Sequence, residues 1–137
     1  MSFAKMLCPF VLAGLVALPG CGSNQEDHSR HADHPQKLTI EFTTNPKEIQ
    51  PGKEVELIAR VSKGSEPVKD ADVDLEIWRD GTEKHEMLET KPDKKGAYHL
   101  KKTFPEAGLY HVTIHTTTSE IHQMPTVDFQ VGQSTGK

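Results

Sequence analysis

Two short segments carry residue types from which a metal site could be assembled: His85-Glu86-Met87 and His122-Gln123-Met124. Each sets an imidazole and a thioether two residues apart. In a strand, such residues leave the same face about 7 Å from one another, so ring and sulfur can reach a common ion. Thioether sulfur is a soft donor that selects Cu(I), while imidazole serves Cu(I), Cu(II) and zinc. A mixed set therefore points to copper, and to Cu(I) first.

The candidate ligands are His122 and Met124, supported by His115, His85 and Met87. If Thr117 to Glu120 is the loop that joins the last two strands, Thr116 opposes Ile121, His115 opposes His122 and Thr113 opposes Met124. That register turns Ile114 and Ile121 to the core and gathers His115, His122 and Met124 on the other face. Directly opposed Cβ atoms lie about 5 Å apart, within reach of shared ligation. His111 is about 13 Å along the strand from His115, too far to share an ion with it. The plainer reading is that Met87 and Met124 plug an irregular core and that outward histidines are merely solvated. His99 and His111 read as such surface residues.

These residues need strands to position them, and the apolar pattern supplies strands. Leu38, Ile40 and Phe42 alternate with polar residues, as do Val55, Leu57, Ala59 and Val61, then Val73, Leu75 and Ile77. A fourth strand runs from His85 to about Thr90. Tyr98, Leu100 and Phe104 mark a fifth, interrupted on its inward face by Lys102. Tyr110, Val112 and Ile114 mark a sixth, and Ile121, Val127, Phe129 and Val131 a seventh with Pro125 in its middle. Proline removes a ladder donor, so a bulge or an edge position is expected there. Asn45-Pro46, Pro51-Gly52, Asp80-Gly81 and Pro105-Glu106-Ala107-Gly108 are turn signals. About seven short strands at regular spacing predict an all-β fold, an immunoglobulin-like antiparallel β-sandwich without an inter-sheet disulfide. Gly108 before Tyr110 also predicts a tyrosine that bonds back to its own corner.

The chain of 137 residues divides into an expected lipoprotein signal peptide over 1–20, a flexible tether over 21–36 and the β-sandwich domain over 37–133. Lys5 supplies the positive start and Met6 to Leu18 the apolar run, which is short for a membrane span. Leu18-Pro19-Gly20-Cys21 resembles the bacterial lipobox, with Cys21 as the acylated residue; Pro19 is unusual there. Cys8 would be lost with the signal, so no free thiol would remain. At least two acyl chains on Cys21 suffice for stable anchoring, which places the domain on the outer face of the cell membrane. His28, His31 and His34 read as tether polarity or as loose metal scavenging without preorganised geometry.

Lys5 is one of 16 basic residues set against 20 acidic ones, so its loss makes an acidic chain more so. No basic stripe is visible to neutralise phosphates, and nucleic acid is not an expected partner. There is no Gly-x-Ser-x-Gly elbow, no His-Glu-x-x-His and no phosphate-binding glycine loop, so no enzyme is expected.

The order of Pro51-Gly52-Lys53, Val73-Asp74-Leu75-Glu76-Ile77-Trp78, His85-Glu86-Met87, Gly96-Ala97-Tyr98, Phe104-Pro105-Glu106-Ala107-Gly108-Leu109-Tyr110 and His122-Gln123-Met124-Pro125 resembles the YtkA-like, FixH-related family of extracytoplasmic domains. The resemblance covers Leu38 to Val131. It implies an immunoglobulin-like fold and, through FixH-related proteins, a partner in copper handling or respiratory-oxidase assembly. FixH itself spans the membrane, whereas this chain reads as lipid-anchored. Two functions follow as expectations: a membrane-anchored module that binds or delivers copper, or a non-metal protein-interaction module of the cell envelope that uses sheet edges or loops.

Overall fold

The structure, a computed structural model, describes residues 37–133. Cys21, the signal segment and the histidines His28, His31 and His34 lie outside the described residues. The strands are β1 Leu38–Asn45, β2 Glu54–Lys63, β3 Glu66–Pro67, β4 Asp72–Arg79, β5 Glu86–Glu89, β6 Lys91–Pro92, β7 Ala97–Thr103, β8 Gly108–Thr117, β9 His122–Gln123 and β10 Thr126–Val131. Three of them, β3, β6 and β9, are two residues long, which leaves the seven longer strands that the alternation predicts. No helix among the described residues is long and apolar enough to cross a membrane.

Two five-stranded antiparallel sheets face each other across the core, in the orders β1-β2-β7-β6 and β10-β8-β4-β5, with β3 on β2 and β9 on β8. Every predicted inward set is inward. Leu57, Ala59, Leu75, Val112, Ile114 and Val131 are fully buried, and Ile40, Phe42, Leu100, Val127 and Phe129 pack against them. Each large apolar side chain buried in this way contributes about 1.5–3 kcal/mol. Phe104, Tyr110 and Phe129 close one end with ring centroids 4.8–5.7 Å apart.

Tyr110 donates its hydroxyl hydrogen to the Glu106 carbonyl at 3.0 Å, the corner bond that the turn predicts. Gly108, at φ 150, lets the chain enter β8 there, since a Cβ would stand 3.1 Å from Arg79 Nε.

Lys102 does point inward, and the structure shows why it is tolerated. It sits at the rim of the sandwich, ion-paired to Glu86 of the other sheet and 5.5 Å over the Phe104 ring.

The expected register of the last hairpin is corrected by two residues. Thr117 opposes His122 and Thr116 opposes Gln123. The turn keeps the expected four residues but starts one residue later, because Thr118 closes it twice. Its N–H donates to the Ile121 carbonyl at 2.8 Å and its Oγ1 accepts from Ile121 N at 2.9 Å. A slip of two preserves face parity, so Ile121 still packs against the core while the cross-strand partners change.

Pro125 takes the edge position and not the bulge. Thr113 opposes Thr126, three steps from the Thr116–Gln123 pair along both strands, so no extra residue is inserted. The proline interrupts the ladder between β9 and β10 on the outer strand of its sheet, where its carbonyl still accepts from Ile114 N at 2.9 Å.

Candidate metal-binding face

Alternation in β4, β5, β8 and β10 turns one set of residues away from the core. Cross-strand pairs place Glu89, Asp74 and His115 in one row, Met87, Glu76, Thr113 and Thr126 in the next, and Trp78, His111 and Asp128 in a third. His122 stands opposite Thr117 at the far end. The same register, carried past Gln123, brings Met124 level with His115. All five predicted ligands therefore belong to one side of one sheet: Met87 on β5, His115 on β8 and His122 on β9, with His85 just before β5 and Met124 between β9 and β10.

Both His-x-Met segments are built alike. The middle residue faces inward and is tied to the opposite sheet, which projects its neighbours outward. Gln123 accepts from Leu38 N and donates to Leu38 O at 3.1 Å. Glu86 accepts from Lys102 Nζ, and this bond, against the cost of burial, holds its carboxyl below the ordinary carboxylate value. Met87 and Met124 are 56% and 52% exposed, so they are not plugs in the core.

The histidines differ in how many ring nitrogens are engaged. His111 has both, Nδ1 with Asp128 at 2.6 Å and Nε2 with Asp80 at 3.0 Å. His99, on the other sheet, also has both, with Glu56 at 3.2 Å and Asp93 at 3.3 Å. His85 engages only Nδ1, with Glu76 Oε1 at 2.7 Å, and His115 only Nε2, with Glu76 Oε2 at 2.8 Å. His122 shares Nδ1 with Thr117 Oγ1 at 2.8 Å. Among the described residues the second nitrogen of each of these three has no partner.

Glu76 is the residue that sequence reasoning missed. It reads as one more solvated acid on an alternating strand, yet it accepts from two imidazoles that approach from β8 and from the segment before β5. Those bonds, His85 before His115, hold its carboxyl below the ordinary value. Carboxylates that fix one imidazole nitrogen commonly orient the other toward a metal.

The pairing also limits what the face can hold. No group of three or more His, Cys, Asp or Glu side chains among the described residues is placed to hold an ion. A site here must draw on the thioethers, which suits a low-coordinate soft cation. The outward strand positions carry Asp72, Asp74, Glu76, Glu89 and Asp128 and, among those described, no lysine or arginine. Such a face raises the local concentration of cations.

These features define an outward-facing sheet of histidine, methionine and carboxylate on an immunoglobulin-like β-sandwich. The YtkA-like family model matches residues 32–115, and the chain belongs to that family. The matched stretch includes His85, Met87 and His115 and ends before His122 and Met124. No curated protein matches the chain. Among solved structures, the PmoD soluble domain from Methylocystis sp. ATCC 49242 (Rockwell) is similar with a TM-score of 0.50 and 19% identity over 68% of this chain and 90% of that one. At that identity the likeness speaks for the fold. The Pseudomonas fluorescens alkylpurine DNA glycosylase AlkC bound to DNA containing an abasic site analog aligns at a TM-score of 0.45 and 12% identity, over 69% of this chain and 30% of that one. That likeness is too slight to support an argument.

Proposed function

We propose that this YtkA-like domain binds copper and passes it on, with Cu(I) held by His122, Met124 and His115 and with His85 and Met87 as supporting donors. The observation that carries the reading is the pairing of two methionines, each more than half exposed, with three histidines that each keep one ring nitrogen unengaged on the same side of one sheet. Exposed thioethers beside available imidazoles have no packing role to explain them. His99 and His111, with both nitrogens engaged, are outside the ligand set.

The domain would act as a carrier and not as an enzyme, held at the outer face of the membrane through acyl chains on Cys21. Its partner would be a copper-handling or respiratory-oxidase assembly protein that takes the ion from the open face. Incorporation of labelled fatty acid by wild type and not by Cys21→Ser checks the anchor; equal label on both removes it.

Competition of the full chain against a Cu(I) chelator tests the site. His122→Ala and Met124→Leu are each expected to weaken Cu(I) affinity by about tenfold or more. Met124→Leu should leave the unfolding midpoint in place, being a volume-conserving swap at a 52% exposed position. His99→Ala should not change the affinity. Replacing His28, His31 and His34 should change only weak uptake beyond one equivalent. Indistinguishable affinities across these variants would transfer the face to the second reading, a protein-interaction module. That reading is favoured by Met87, Met124 and Leu109, the large hydrophobic residues exposed on the same sheet.

A further inference from the structure

We infer that His111 is a proton-operated latch, which as an imidazolium ties the turn after β4 to the edge strand β10 across β8 and gives up one of the two ties when it becomes neutral. The inference stands apart from copper binding. It rests on the count of donors. A neutral imidazole carries one N–H, whereas both nitrogens of His111 face carboxylate oxygens, Asp128 Oδ1 at 2.6 Å and Asp80 Oδ1 at 3.0 Å. Asp80 and Asp128 are 66% and 60% exposed while His111 is 18% exposed. The carboxylates are thus hydrated, and the proton that completes both bonds belongs on the ring.

The surroundings on every packed element agree. Asp128 is the direct cross-strand partner of His111 on β10, and Trp78 is its partner on β4. Asp80 approaches from the turn. The neighbours along β8, Leu109 and Thr113, do not ionise. The next titratable groups on this face, Glu76 and His85, are bonded to each other, and His85 stacks on Trp78 with centroids 4.4 Å apart. His111 has no cation beside it and two anions in contact. Its pKa accordingly lies above the ordinary 6.5, raised first by the bond to Asp80 and then by that to Asp128.

The tie matters because β10 is paired along its length only with β8, its other side meeting the chain at the Ile49–Val131 bridge alone among the described residues, and its ladder is interrupted at Pro125. The Asp128 bond is a side-chain clasp on a strand whose Val127, Phe129 and Val131 cover the core. As the pH rises through the folded-state pKa, the ring loses a proton, one carboxylate loses its donor, and the clasp opens on that side.

Trp78 reports this directly, being the chain's one tryptophan, with its centroid 5.1 Å from that of His111. An imidazolium quenches a neighbouring indole more strongly than a neutral imidazole does. In the full chain, freed of metal with a chelator, Trp78 emission is expected to rise in a step centred above pH 6.5. His111→Gln should abolish the step, while His85→Gln, which removes the other stacked imidazole, should retain it. Asp128→Asn should lower the midpoint, and it keeps the test open if His111→Gln does not fold. Amides of β10 should gain extra exchange above the midpoint in wild type only. A wild-type emission curve without a step above 6.5, or a step that survives His111→Gln, overturns the latch.

Discussion

The two His-x-Met segments use one plan with different fastenings. His85-Glu86-Met87 is held by an ion pair to Lys102 at the rim, with Glu86 45% and Lys102 19% exposed. His122-Gln123-Met124 is held by a neutral amide bonded to both backbone groups of Leu38, a residue only 2% exposed. A half-exposed ion pair is screened by water and salt and titrates with its carboxylate. An amide bonded to buried backbone does neither, and its removal leaves a donor and an acceptor without partners. One half of the face should therefore loosen with acid and salt while the other stays set.

The largest expected effect breaks the rigid half. Gln123→Ala strips both partners from Leu38 and should cost about 2 kcal/mol in denaturant unfolding. It should also weaken Cu(I) binding more than Glu86→Gln does, because the projection of His122 and Met124 depends on it. Equal effects of the two substitutions would mean that the fastenings are equivalent.

A smaller effect of opposite sign sharpens the same end. Thr116 pairs with Gln123 across β8 and β9, and its Oγ1 is buried with no hydrogen-bond partner. Thr116→Val removes that hydroxyl and should stabilise the domain by about 1 kcal/mol. A destabilised variant would show that the oxygen has a partner in solution.

The smallest effect concerns the ionic half, and its sign follows from the depressed pKa of Glu86. A carboxylate lowered in the folded state contributes stability that is present above its unfolded value of 4.5 and is lost as pH falls through the folded value. Glu86→Gln should cost about 0.5 kcal/mol near neutrality, discounted for exposure. The difference from wild type should vanish in acid and shrink in high salt. A difference that is independent of pH would place the stabilising contact elsewhere.

The sequence by itself determined which residues face out and which face in. A strand has a side-chain period of two, so Val55, Leu57, Ala59 and Val61 or Val73, Leu75 and Ile77 declare their buried face from local spacing alone. His85, Met87, His122 and Met124 follow from the same parity, and even the two-residue error in the last hairpin left their side unchanged. Tertiary structure decided what stands beside what. Thr118 set the hairpin register through bonds that composition does not display. Lys102 became legible only once Glu86 lay across the rim from it, and Glu76 only once two imidazoles from separate segments met on its two oxygens. The availability of a ring nitrogen was likewise invisible in the sequence. His111 and His115 lie four residues apart on one strand, and whether each has one partner or two depends on side chains contributed by β10 and by the turn after β4. Faces are fixed by the backbone's local period, but hydrogen-bond partners are fixed by distant segments that meet only when the sheets close on a common core.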